Sequence, residues 1–137
     1  TGGESCEDYE NLLNAARKAV EHGYRVFILP NPKGIRTADF IFERRGVYKL
    51  FDLKTISGKN SVGNRLKESI GKTNRVLINM TADYNPSELA RSIKKYFEKN
   101  DAALEFLIFK GKKSLSVSRD LTLSRDFYRI FIRRYNK

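Results

Sequence analysis

The chain has 137 residues, 40% of them hydrophobic, which is enough for one domain with a buried core and excludes an intrinsically disordered segment. Its 27 Lys and Arg against 16 Asp and Glu give a net charge of +11, so the favoured partners are polyanions, nucleic acid first. A single Cys and a single His exclude an internal disulfide, a Cys/His zinc cluster and a ribonuclease built on paired histidines, and no apolar run is long enough to span a membrane.

Residues 1–7 read as a polar, flexible lead without the character of a signal peptide, and Thr1-Gly2-Gly3 reads as a processed end or a piece of something longer. Cys6 in that lead has no histidine near it in sequence, which argues against a cysteine nucleophile. A helix is expected from about Asp8 to Gly23, because Tyr9, Leu12, Leu13, Ala16, Ala19 and Val20 recur at helical spacing and the glycine ends it. Glu10 beside that stripe reads by itself as a first-turn glutamate favoured by the helix dipole. His22 reads as a capping or dipole contact rather than a general base.

A strand over residues 24–29 closes at Pro30-Asn31-Pro32, and a basic loop with Lys33 and Arg36, either a solvated turn or a phosphate contact, leads to Asp39. Phe40-Ile41-Phe42 and residues 47–51 are rich in aromatic and branched side chains, and the polar residues 43–46 with a glycine between them fit a hairpin turn. Folding at that turn brings Asp39 near Asp52. Side chains two apart in a strand share a face, so Asp52 and Lys54 point together and Leu53 points away. Two neighbouring carboxylates repel, and a divalent cation relieves that repulsion; a lysine beside them can hold a water or phosphate oxygen.

Beyond Lys54, a polar connection from Thr55 to Ser61 leads into a second helix with Val62, Leu66 and Ile70 as its buried stripe. Asn60 or Ser61 is its N-cap, where unpaired amides suit a phosphate, and Arg65 lies on its surface. A strand over residues 75–80 follows, then a turn to Pro86, a helix with Leu89, Ile93, Tyr96 and Phe97 inward, and a strand over residues 103–109. This alternation implies an α/β fold, a mixed β-sheet flanked by helices. Residues 110–137 form a basic C-terminal segment, with nine Lys or Arg against two Asp. Leu115 and Val117 alternate as in a short strand, and residues 127–135 interleave aromatics with arginines in a last strand or helix. Phe127 and Phe131 are assigned to the core, and Arg129, Arg133 and Arg134 to contact with RNA.

Asp39, a twelve-residue spacer and Asp52-Leu53-Lys54 resemble the PD-(D/E)XK nuclease superfamily, whose pattern is an acid, a spacer, then acid-x-lysine. Extended through the 57–70 region to Arg75-Val76-Leu77-Ile78-Asn79, the chain is similar over residues 23–79 to the C-terminal nuclease domains of contact-dependent growth inhibition toxins, the CdiA proteins. The resemblance implies one nuclease toxin domain over residues 1–137 with a PD-(D/E)XK core. It implies a metal-dependent endonuclease that cuts tRNA, with DNA as the second candidate. The domain would belong to a large secreted or cell-surface precursor and act in the cytoplasm of a target bacterium. A cognate acidic immunity protein and a host activating factor are the partners it implies. By position, Asp39 and Asp52 are the ligands of Mg²⁺ or Mn²⁺, Lys54 is catalytic, and Thr55, Asn60 and Arg65 assist. Glu10 is the available third ligand, and Leu12 and Asn14 stand where relatives carry acids. Two other classes stay open: a non-catalytic basic nucleic-acid-binding module whose acids are structural, and an interaction domain whose positive surface meets an acidic protein. No phosphate-loop glycine motif appears, so ATP use is not indicated.

Overall fold

A computed structural model of the chain describes residues 6–29, 38–56, 66 and 74–136. Its elements run α1 (Cys6–Glu21), β1 (Arg25–Ile28), β2 (Phe40–Arg44), β3 (Val47–Ile56), β4 (Arg75–Met80), α2 (Pro86–Lys99), β5 (Glu105–Lys110), β6 (Lys113–Ser118), α3 (Arg119–Thr122) and α4 (Phe127–Asn136). The six strands form one sheet in chain order. β1, β2 and β3 are an antiparallel meander, β3, β4 and β5 are parallel, and β6 returns antiparallel to β5. This is the mixed, helix-flanked sheet that the alternation of elements implies. The polar lead expected before α1 lies largely outside the described residues.

The hairpin forms where the polar turn was expected. Arg44 pairs with Val47, so the loop is Arg45-Gly46, and both residues have positive φ, 55° and 81°. That is the type I′ geometry whose twist matches the flanking strands, and glycine adopts it without strain. The Gly46 N–H donates to Glu43 Oε2 at 3.0 Å and ties the turn down.

Helices cover the sheet on both faces. Against one face lie α2 and α4, burying Val76, Ile78, Phe106 and Ile108 beneath Leu89, Ile93, Phe97, Phe127 and Phe131. Helical Leu66 is buried in the same core and is the described part of the second helix expected from the sequence. Against the other face lies α1, over Phe40, Phe42, Phe51, Leu77, Leu107 and Phe109.

The α1 stripe is rotated from its expected position. Ala15 and Ala19 are fully buried with Leu12 and Ala16 beside them, whereas Tyr9, Leu13 and Val20 remain 55%, 42% and 59% exposed. Alanines let the helix axis lie close to the sheet, so the line of contact follows the small residues and turns the bulky ones to its flank. α2 begins as its sequence implies: Asn85 caps it, accepting from the Ser87 and Glu88 amides at 2.8 and 3.2 Å, and Pro86 occupies the first turn.

The last aromatic segment is a helix. Phe127, Phe131 and Tyr135 are four apart and all buried, a spacing that puts them on one side of a helix. The Tyr135 hydroxyl donates to the Tyr84 carbonyl at 3.0 Å, fixing the end of α4 to the loop before α2. His22 stacks on Phe109 with ring centroids 5.2 Å apart. No described helix is long and apolar enough to cross a membrane.

Candidate functional site

β3 is the strand on which the sheet changes from antiparallel to parallel. β2 pairs with it as far as Phe51, and β4 pairs with it from Asp52 onward. At Asp52, therefore, one neighbouring strand has just ended and the other has just begun. Alternation sends Asp52, Lys54 and Ile56 to the α2/α4 face, beside Val76 and Ile78, and sends Phe51, Leu53 and Thr55 to the α1 face.

Asp52 has no exposed surface and Lys54 is only 5% exposed. Their charges meet: Lys54 Nζ stands 3.2 Å from Asp52 Oδ2. The carboxylate's field reaches α2, where burial pushes the Tyr96 phenol above its ordinary 10.0, the nearby Asn100 side chain opposes the rise, and the negative charge of Asp52 adds to it. Such a pair inside an apolar helix–sheet interface is expensive to desolvate, and hydrophobic residues of the same volume would serve the fold as well.

Asp39 closes the gap left by the end of β2. Its Oδ2 accepts the Leu53 N–H at 2.8 Å, and its own N–H donates to the Phe51 carbonyl at 3.0 Å. Continuing the β2–β3 register by one pair sets Asp39 opposite Asp52. The structure thus gathers Asp39, Asp52 and Lys54 around three consecutive residues of β3. Carboxylates are the ligand type that hard divalent cations such as Mg²⁺ or Mn²⁺ take, one or two at a time, with water and phosphate oxygens in the remaining positions.

Two expected members do not join them. Glu10 is exposed on α1, and α1 lies against the opposite face of the sheet from Asp52, so the structure does not bring it to the pair. Among the described residues no group of three or more His, Cys, Asp or Glu is placed to hold a metal. Thr55, one residue past Lys54, faces α1 instead, and its buried hydroxyl has no hydrogen-bond partner among the described residues. Lys33, Arg36, Asn60 and Arg65 lie outside the described residues. Arg129, Arg133 and Arg134 sit on the exposed side of α4, and Arg129 is 3.3 Å from Asp126.

The sequence reading passed over a polar cluster on the α1 face. Asn79 is fully buried on β4; its Nδ2 donates to Asn14 Oδ1 at 2.8 Å and its Oδ1 accepts from Lys18 Nζ at 2.6 Å. The available signal was an asparagine closing the apolar run Val76-Leu77-Ile78 in a central strand.

No family model and no curated protein matches the chain. Among solved structures, a chain of a CdiA-CT/CdiI toxin and immunity complex from Burkholderia pseudomallei matches with a TM-score of 0.55. The match covers 86% of this chain and 92% of that one, at 14% sequence identity. At that identity the likeness is one of fold.

Proposed function

We propose that this chain is a toxin domain of the contact-dependent growth inhibition kind, a PD-(D/E)XK-type, metal-dependent endonuclease that cuts tRNA. The observation that carries the proposal is the sealed Asp52–Lys54 pair with Asp39 at its edge, an arrangement the fold does not need. The fold likeness to a chain of a toxin and immunity complex supports it. Within such a complex, a net charge of +11 suits the member that meets nucleic acid, and it calls for an acidic immunity protein as the partner that neutralises it.

Asp39 and Asp52 would hold the cation, which supplies charge neutralisation at the scissile phosphate and a water of lowered pKa. The protein's own residues do the positioning. Asp52 orients Lys54, so that its ammonium can donate to a phosphate oxygen and stabilise the charge that grows there. The Leu53 amide fixes the Asp39 carboxylate. Asp52 exposes no surface while Asp39 is half-buried, so a substrate reaches the pair from the Asp39 side and must displace part of its cover. Looped RNA is favoured over duplex DNA by α4, which presents Tyr128 together with Arg129, Arg133 and Arg134 on its outer surface, an aromatic face and cations suited to unstacked bases and phosphates.

The complete closure of Asp52 favours one second reading, a basic binding module whose ion pair is structural. A single assay separates the two. Purified protein is incubated with total tRNA and with plasmid DNA in Mg²⁺, in Mn²⁺ and in EDTA. Metal-dependent loss of tRNA supports the proposal, loss of plasmid alone moves the substrate to DNA, and binding of both without cutting by folded protein supports the module.

A further inference from the structure

The carboxyl ends of parallel strands are the usual ligand-binding edge of an open α/β sheet, and here that edge carries a cleft of about 540 Å³. Its wall includes Asn14 and Lys18 of α1, Thr81 and Asp83 after β4, and Lys110 at the end of β5. Asn79 is the buried base of this arrangement. Around it the α1 face of the sheet is apolar, with Leu77, Leu107 and Phe109, so an amide there costs free energy unless it is fully bonded. Both of its bonds go to cleft-lining residues, Asn14 and Lys18.

The polarity of this network determines what it leaves over. Asn14 spends its carbonyl oxygen on Asn79 and keeps its NH₂ donors, and Lys18 spends one of three N–H groups and keeps two. The Thr81 hydroxyl donates to the Ile56 carbonyl at 3.1 Å, and the Lys110 ammonium is held by the Tyr135 carbonyl at 2.9 Å. Asp83 is the one carboxylate in the wall, against two ammonium groups. Desolvation pulls the Lys18 amine below its ordinary 10.5, with the charge of Arg17 adding to the fall and Glu21 opposing it. Thr55 stands at the register of Asn79 on the neighbouring strand, and its buried hydroxyl has no hydrogen-bond partner among the described residues.

From this surplus of donors around a buried scaffold we infer that the Asn14–Lys18–Asn79 cleft is a phosphate-binding site. It is separate from the Asp52–Lys54 centre, which projects to the other face of the sheet. The four residues from Asp52's register at Val76 to the cleft at Met80 span about 13 Å along the strand. The phosphate belongs either to a nucleic-acid backbone that passes over the end of the sheet or to a free phosphate.

NMR of the ¹⁵N-labelled chain tests this directly, with the side-chain amides of Asn14 and Asn79 as reporters. Inorganic phosphate and a short RNA oligonucleotide are titrated separately. Saturable shifts of both amides are expected, with affinity about tenfold weaker in Lys18→Gln and largely kept in Lys18→Arg. Saturation by the oligonucleotide at much lower concentration identifies the backbone as the source, and equal saturation identifies free phosphate. Absence of saturable shifts, or identical shifts in wild type and Lys18→Gln, overturns the site. Should Lys18→Gln not fold, Asn14→Asp, which puts a carboxylate in place of the donors, takes its place with the Asn79 amide alone as reporter, and unchanged affinity in it overturns the site. Asp52→Asn leaves these shifts unchanged, so failure of the cleft and failure of the nuclease reading are read separately.

Discussion

Asp52 and Lys54 lie where neither is solvated, and their contact at 3.2 Å offsets part of the cost of burying them. Lys54→Met leaves a buried carboxylate without its cation, and a loss of about 3–5 kcal/mol in denaturant-unfolding free energy is expected. The double variant Asp52→Leu/Lys54→Met should recover most of that loss. If Lys54→Met alone is as stable as wild type, the pair is not buried as described. A second network makes a pH prediction. Burial alone would raise the Glu105 carboxyl, but hydrogen bonds and charges from Lys49 and Arg75 outweigh it and hold the group below its ordinary 4.5. A depressed folded-state pKa contributes stability that is present above that ordinary value and is lost as pH falls through the folded value. Unfolding free energies of wild type and Glu105→Gln, measured from neutral pH downward, should therefore differ by on the order of 1 kcal/mol at neutrality and converge below about pH 4.5.

At the scale of elements, the most local signals were the most readable. Asn85-Pro86 announced the start of α2, and Asn85→Ala should lower stability by about 1 kcal/mol, checked by thermal or denaturant unfolding. Arg45-Gly46 announced the β2–β3 hairpin for the same reason: a turn is decided by a few residues' own backbone preferences. Asp52 and Lys54 were readable as a pair because strand alternation is strict. What the sequence hid was set at longer range. Which side of α1 faces the sheet depended on how closely Ala15 and Ala19 could approach it, a long-range matter that the apolar stripe alone did not show. Thr55 was placed beside Lys54 by the family resemblance, although the same alternation that unites Asp52 and Lys54 turns it to the other face. The Asn14–Lys18–Asn79 cluster joins residues more than sixty positions apart, a contact that no local pattern encodes.

Across the whole molecule the net charge is +11, and the basic C-terminal segment alone carries nine Lys or Arg against two Asp, while Asp52 is drawn inward. Association with tRNA should accordingly weaken steeply as salt is raised, with a linear decline of log affinity against log salt concentration. Arg133→Gln/Arg134→Gln should reduce that slope without altering the fold, because both side chains are exposed on α4. A slope unchanged in the variant would remove α4 from the binding surface. The central claim concerns the buried centre, and single-turnover cleavage of a labelled tRNA by wild type and Asp52→Asn, with far-UV circular dichroism to verify folding, addresses it most directly. The account predicts a loss on the order of 10²–10³ in rate for folded Asp52→Asn with tRNA binding retained. Cleavage at the wild-type rate by that variant would contradict it.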